Sequence, residues 1–467
     1  MTVTENALSA GLKNRHVTMI SIAGVIGAGL FVGSGSAINK AGPGVLLAYA
    51  FAGLLVVLVM RMLGEMAAAN PDTGSFSTYA DRAIGPWAGF TVGWLYWWFW
   101  VLVIPVEATA AATILESWTG APQWVWALAV TLVLTVTNLF SVANYGEFEF
   151  WFALLKVIAI IAFIGIGILA VFGVFGTDHS GVAHLWDTGG FLPNGFAAVV
   201  AAVLLTMFSF MGTEIVTIAA AESDHPDEKI GRATRSVIWR IGLFYLASIF
   251  LVVAIVPWNT PALGDGTGSY QTALQALGIP GAKAIVDIVV LVAVASCLNS
   301  ALYTASRMIY SLGKRGQAPA AVMHTTGNGV PRVAVLASTA VGFLTVIANY
   351  LFPEDVFNVL LATSGAVALL VYLVIAISQL QMRAKFEEAG TPMPVRMWAY
   401  PYLTWAVVIV IPVMLVYMLF DADQRTNILA TAVIAIVVVA LGVFTTRGRS
   451  GGDVHTGHAG TQRGDGV

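Results

Sequence analysis

Hydrophobic residues fall in long stretches along this chain, and short polar segments separate them. Twelve stretches stand out, at about 17–39, 44–66, 86–116, 122–142, 148–174, 195–220, 236–257, 282–312, 332–351, 355–381, 400–420 and 426–446. About 20 apolar residues cross a bilayer as a helix, so the pattern predicts an all-α polytopic membrane protein of about twelve transmembrane helices. The third and eighth stretches exceed what the hydrocarbon core needs and are expected to tilt or protrude.

The first stretch is unlike a plain lipid-spanning helix. It reads VTMISIAGVIGAGLFVGSGSAI, with Gly24, Gly27, Gly29, Gly33 and Gly35 through its middle. Each Gly costs about 0.5–1 kcal/mol against Ala inside a helix. Unpaired main-chain groups cost several kcal/mol in lipid, so irregular backbone survives there only where it lines a cavity. A break at Gly27-Ala28-Gly29 is therefore expected, and such a break points to a transporter's binding site. The sixth stretch carries Gly212 and then Glu214 in its middle. The first and sixth stretches open two five-helix halves, and paired interruptions are what inverted-repeat transporters show. The halves are expected at 17–174 and 195–381, with helices eleven and twelve at 400–446.

Composition agrees. Of 467 residues, 58% are hydrophobic and 10% charged, against about 25% charged in soluble domains. The net charge of −3 comes with no basic face, which excludes nucleic-acid binding. One cysteine, Cys297, excludes an intrachain disulfide. No HExxH, GxSxG or P-loop lysine is present, so an enzyme is not expected. No cleavable signal is expected either, because the first 16 residues are polar and the first apolar run is too long and too rich in glycine.

Basic residues set the orientation. With residues 1–16 in the cytoplasm, 18 of the 22 Lys and Arg fall inside, Lys40, Lys283 and Arg425 fall outside, and Lys156 lies within a span. Both termini are then cytoplasmic. Trp118, Trp124, Trp126 and Trp258 sit at outer ends and Trp398, Tyr400 and Tyr402 at an inner end, as aromatic belts do. The segment 447–467, rich in Gly, His and Asp, is expected to be a disordered cytoplasmic tail.

Several residues are candidates for chemistry. At the first break, free N–H groups of Gly27, Ala28 and Gly29 suit a carboxylate, and their minimal side chains let a ligand approach; close helix packing is the plainer use of the same glycines. Lys156, deep in FWFALLKVIAI, is either a proton relay or a snorkelling side chain near Glu147 and Glu149. Glu107 follows Pro105 in the third stretch and is placed to receive a substrate ammonium or carry a proton, unless it only bonds a neighbouring helix. Glu214 caps the second break or touches substrate. Phe208 and Phe210 stand ready to close over a ligand. Asp287, Asn299 and Tyr303 are weaker candidates, and the Trp94–Trp100 aromatic run reads as packing.

These segments resemble permeases of the amino acid–polyamine–organocation superfamily. The first helix and FSFMGTEIVTIAAAES look like that family's first and sixth, and Glu65, Pro71, Gly74, Tyr79 and Gly85 match its pattern after helix two. GWLYWWFWVLVIPVEA, NYGEFEFW and SCLNSALYTASRM are similar to its γ-aminobutyrate-transporting bacterial branch. The resemblance covers about residues 11–450. It implies a LeuT-like fold, a five-plus-five inverted repeat with two further helices, and proton-driven uptake through the bacterial inner membrane without a cofactor or metal. It implies that main chain at Gly27, Ala28 and Gly29 holds the substrate carboxylate, that carbonyls at Val25 and Met211 hold the amino group, and that Phe208 covers the ligand. Lys156 matches a lysine that replaces a sodium ion in proton-coupled members. Ala28 stands where some relatives have serine. The expected ligands are protons and a small zwitterion, γ-aminobutyrate or a related ω-amino acid. An α-amino acid is the alternative within the class; a channel, a sensor or a membrane enzyme is more remote.

Overall fold

The computed structural model describes residues 26–70, 75–140, 145–176, 181–214, 226–326, 329–352 and 355–447. Among these residues there are helices and turns and no strand. Each of the twelve apolar stretches holds a helix. In chain order they are α1 (Ala28–Phe31), α2 (Gly33–Ala41), α3 (Val45–Ala69), α4 (Ser75–Ala83), α5 (Pro86–Thr119), α6 (Gln123–Phe140), α7 (Tyr145–Val171), α8 (Gly195–Phe208), α9 (Pro226–Arg240), α10 (Ser248–Ile255), α11 (Ser269–Ala276), α12 (Ala282–Lys314), α13 (Arg332–Leu351), α14 (Val356–Glu388), α15 (Tyr402–Met418) and α16 (Ala422–Thr446). Among the described residues, eight segments are long and apolar enough to span a bilayer, and the first of them, Ala28–Ala69, contains two of the predicted helices joined by a tight turn at Gly42–Gly44. Shorter apolar helices at Gln123–Leu139, Gly195–Phe208 and Tyr402–Met418 supply the rest.

Helix α5 lies at the centre and packs against α6, α12, α13, α14 and α16. The periphery is apolar and exposed: Phe172, Ile436, Phe444 and Leu344 each show more than 60% of their surface. Water would not tolerate so large an apolar coat, whereas lipid does.

The break predicted in the sixth stretch is present, and in the first stretch the described chain is non-helical up to Gly27. Gly27 is extended, and α1 begins only at Ala28. The preceding half, 17–25, lies outside the described residues, as do 1–16 and 448–467. A second interruption at Val32 separates α1 from α2. Helix α8 stops at Phe208, turns follow through 209–213, and helix resumes at Glu214. Gly212 adopts φ +95°, a region that favours glycine.

Three elements depart from the sequence reading. The charged segment between the sixth and seventh apolar stretches, where no element was predicted, is helical from Pro226, and it joins α10 through a π-helical segment, Ile241–Ala247. Helices α4 and α11 occupy connections where no element was predicted. Both α4 and α9 are amphipathic and carry polar faces, so hydropathy alone passed over them.

One end of the molecule gathers basic residues assigned to a common face. Arg61 donates to the Arg396 carbonyl at 2.8 Å, Arg383 to Glu65 at 2.7 Å, and Lys385 to the Arg82 carbonyl at 2.5 Å.

Candidate functional site

The two breaks face each other. A Cβ placed on Gly29 would lie 2.8 Å from Phe208 Cδ1 and 2.8 Å from Ser209 Oγ. A Cβ on Gly27 would lie 2.4 Å from Glu107 Oε1 and 2.8 Å from Cys297 Cβ. Real Cβ contacts are never that short, so α1 reaches α5, α8 and α12 only because glycine stands at both positions.

The vacated space holds a carboxylate. The Ala28 N–H donates to both oxygens of Glu107, at 3.2 and 3.0 Å. Glu107, expected to receive a substrate ammonium or carry a proton, rests directly on the first break. The cause is the bare main chain at Gly27, which lets α5 bring Glu107 down onto the first free N–H. Ala28 and Glu107 are completely buried, so this bond is made away from water, where a charge-assisted bond counts most.

The second break carries its own carboxylate. Glu214, fully buried, accepts the Gly212 N–H at 3.0 Å on each oxygen. Arg240 donates to Thr213 Oγ1 at 2.6 Å, and Thr213 Oγ1 in turn bonds the Phe210 carbonyl. Tyr245, from the π-helical segment, donates to the Ser209 carbonyl at 2.8 Å. The turn at 209–213 is thus fastened by α9 and by the segment after it. Phe208 and Met211 are both buried, and the Phe208 ring stands 6.0 Å from Phe99. Phe210 packs on Tyr245 and Tyr49 instead. Val25 lies outside the described residues.

Lys156 does not snorkel: its side chain is completely buried. It donates to Ser296 Oγ at 2.8 Å, and Ser296 donates to Glu149 Oε1 at 2.5 Å. Lys156 is also within electrostatic reach of Glu107. Ser296 precedes Cys297, the residue against Gly27, so one turn of α12 touches both the lysine and the first break. Sequence reasoning missed Ser296, Cys297, Ser209, Arg240 and Tyr245. Small polar residues at the middle of the eighth stretch were the available signal for the first two.

The weaker candidates sit elsewhere. Asp287 accepts from Trp118 Nε1, Gln271 Nε2 and Lys283 Nζ. Asn299 accepts from Asn138 at 2.7 Å, and Arg307 lies over the Tyr303 ring. The Trp94–Trp100 run is inside the bundle more than against lipid: Trp94 donates to the Gln317 carbonyl, Trp97 to Ser338, and Tyr96, Phe99 and Trp100 are buried.

Comparison with known proteins bears on this arrangement. The family model described as amino acid permease matches residues 16–447. A protein of Pseudomonas aeruginosa named probable GABA permease is 66% identical over 444 residues, covering 94% of this chain and 93% of that protein. The gamma-aminobutyric acid permease of Escherichia coli is 62% identical over 92% of this chain and 93% of that protein. The aromatic amino acid transport protein AroP of Corynebacterium glutamicum is 40% identical over 95% of this chain and 97% of that protein. Among solved structures, a manganese transporter of Eremococcus coleocola superposes with a TM-score of 0.55 at 14% identity, over 96% of this chain and 99% of that one; at that identity the likeness is one of fold, and the fold is LeuT-like. Broken first and sixth stretches, a central α5 and a match over nearly the whole length lead to one statement: this chain belongs to the amino acid permease family.

Proposed function

We propose that the protein imports γ-aminobutyrate and related ω-amino acids across the plasma membrane, driven by protons, with both termini cytoplasmic. The observation that carries the reading is the seat at the first break, where a carboxylate rests on the Ala28 N–H. The relatives at 66% and 62% identity carry the names probable GABA permease and gamma-aminobutyric acid permease, and these supply the substrate. The partition of Lys and Arg supplies the orientation.

The geometry suggests how substrate and proton travel together. The substrate carboxylate and the Glu107 carboxylate compete for one N–H. Two ionised carboxylates in one buried space repel strongly. A protonated Glu107 gives up its hold on Ala28 and adds no second negative charge, so one proton and one carboxylate enter as a pair. Main chain at Gly27 and Gly29 lines the seat, Phe208 closes it, and carbonyls at Val25 and Met211 take the ammonium. Glu214 holds the second break open. Lys156, buried beside Ser296 and Glu149, is the second proton carrier of the cycle.

The test is uptake of labelled γ-aminobutyrate into proteoliposomes with an imposed gradient, acid outside. Concentrative uptake that collapses when the gradient is discharged supports the reading. Uptake indifferent to pH removes the proton, and failure of γ-aminobutyrate to compete with an α-amino acid removes the substrate.

A further inference from the structure

A cavity of about 360 Å³ lies apart from the two breaks, where α2, α8, α14 and the start of α16 meet. Its floor is Ser36, Leu205 and Ala362, and its rim carries Lys40, Asp355 and Asp423. This is the face that the Lys and Arg partition assigns to the outside. Leu205 is one turn of α8 from Phe208, and Ser36 belongs to α2, the helix that follows α1.

Its chemistry is uneven in an informative way. Gln424 is only 6% exposed, yet its Oε1 has no hydrogen-bond partner. The Asn358 Oδ1, on the facing helix α14, is likewise buried without a partner. Both residues line the cavity. Buried carbonyl oxygens are normally satisfied, and two orphaned acceptors on one cavity call for a donor with several N–H groups. Opposite them Lys40 Nζ sits 2.5 Å from Asp423 Oδ2, an ion pair whose members are 25% and 73% exposed. A pair so wet is held weakly and opens readily. Two carboxylates against one lysine leave the lining net negative, which favours a cation. An opened Lys40 offers a separate seat for an anion.

We propose that this cavity is an outer binding site for the zwitterionic substrate, in which Gln424 Oε1 and Asn358 Oδ1 take the ammonium beside Asp423 and Lys40 takes the carboxylate. The site rests on the reading of the substrate as an ω-amino acid. That chemistry suits it: a molecule with a cationic and an anionic end meets acceptors on α14 and α16 and a lysine on α2 around one cavity. A cavity of this size is near the lower end of the range for small-ligand pockets. Substrate captured there would wait one turn of α8 from Phe208 until the central site opens.

Gln424→Leu tests the site. It removes the orphaned oxygen without touching the Lys40–Asp423 pair, and it breaks no hydrogen bond of that side chain, so the variant should melt no lower than the parent. In proteoliposomes the KM for γ-aminobutyrate should rise about tenfold, as expected for one lost bond to a charged group, with kcat unchanged. Asp423→Asn, on an exposed side chain, should raise KM in the same way and serves if the first variant folds poorly. A KM that moves less than twofold in both, or a kcat that falls along with it, overturns the outer site. A parent that takes up no γ-aminobutyrate overturns the substrate reading itself, which is a separate result.

Discussion

At the scale of single residues, the site turns on what is missing at position 27. No side chain there means that Glu107 reaches the Ala28 N–H. Gly27→Ala puts a Cβ 2.4 Å from Glu107 Oε1 and 2.8 Å from Cys297 Cβ. Overpacking of this kind costs about 1–3 kcal/mol, and uptake of γ-aminobutyrate should drop about tenfold or more; a variant as active as the parent would show that α1 and α5 separate freely. Glu107→Gln makes the complementary prediction. It keeps the size of the side chain and removes both its charge and its titration. Substrate should still bind, the Ala28 N–H being easier to win, but uptake should depend much less on an acid outside, Lys156 alone remaining to carry a proton. The check is the initial rate against external pH, flatter for the variant than for the parent, which rises steeply toward acid. The residues on either side of this contact were legible because each breaks a rule: glycines inside a span, and a carboxylate beside an intramembrane proline. Their mutual distance was not, since nothing along the chain says how α5 is rotated about its axis. Ser296 and Cys297 escaped for a similar reason. A serine or cysteine breaks no rule in a membrane helix, and only the packed structure reveals that one meets Lys156 and the other Gly27.

At the scale of elements, the broken helices need rigid neighbours, and buried polar fasteners supply the rigidity. On α3, Glu65 is wholly buried and accepts Gln379 Nε2 at 2.7 Å, Arg383 Nη1 at 2.7 Å and the Met397 N–H at 2.5 Å. Gln379 in turn accepts from Thr404 at 3.0 Å, so α3, α14, α15 and the chain before α15 are joined through one carboxylate. Breaking a buried pair by removing one partner costs about 3–5 kcal/mol, because the other charge is left uncompensated. Glu65→Gln should therefore lower the thermal unfolding temperature in detergent by several degrees, while Glu65→Leu with Arg383→Leu should recover part of the loss. An unchanged melting temperature in the single variant would mean that Arg383 finds sufficient compensation in Glu387, its other partner at 2.6 Å. Elsewhere the fastening is steric. A Cβ on Gly365 would lie 2.0 Å from the Leu204 carbonyl oxygen, and only main chain stands on that side, so Gly365→Ala should force α14 away from α8 and reduce the yield of folded protein. The long apolar helices were evident from hydropathy. The amphipathic α4 and α9 were not, and neither was the π-helical turn that delivers Tyr245 to the second break, because a change of hydrogen-bond pitch leaves no mark on hydropathy.

At the scale of the whole molecule, the central residues are closed off: Ala28, Glu107 and Glu214 have no exposed surface, and Phe208 has 6%. A transporter cannot stay so. The cycle proposed above requires the site to open to each face in turn, and the chain carries one built-in reporter of that motion. Cys297 is its single cysteine, is 4% exposed, and borders Gly27 at the first break. A thiol reagent therefore reaches it only through openings of the site, and labelling reports on the site with no engineered probe. With substrate absent, N-ethylmaleimide should modify the reconstituted protein slowly but completely. Membrane-impermeant maleimides should reach the same residue from the outer face of right-side-out vesicles and from the inner face of inverted ones. Bound γ-aminobutyrate fills the space beside Cys297, so at about ten times its Kd the rate should fall about tenfold by mass action. Cys297→Ser gives the background. Labelling from one face only would describe a binding protein or a sensor. Labelling from both faces at once, with no protection by substrate, would describe a channel. Protected labelling that alternates between the faces as the proton gradient is reversed is the signature of two gates that never open together.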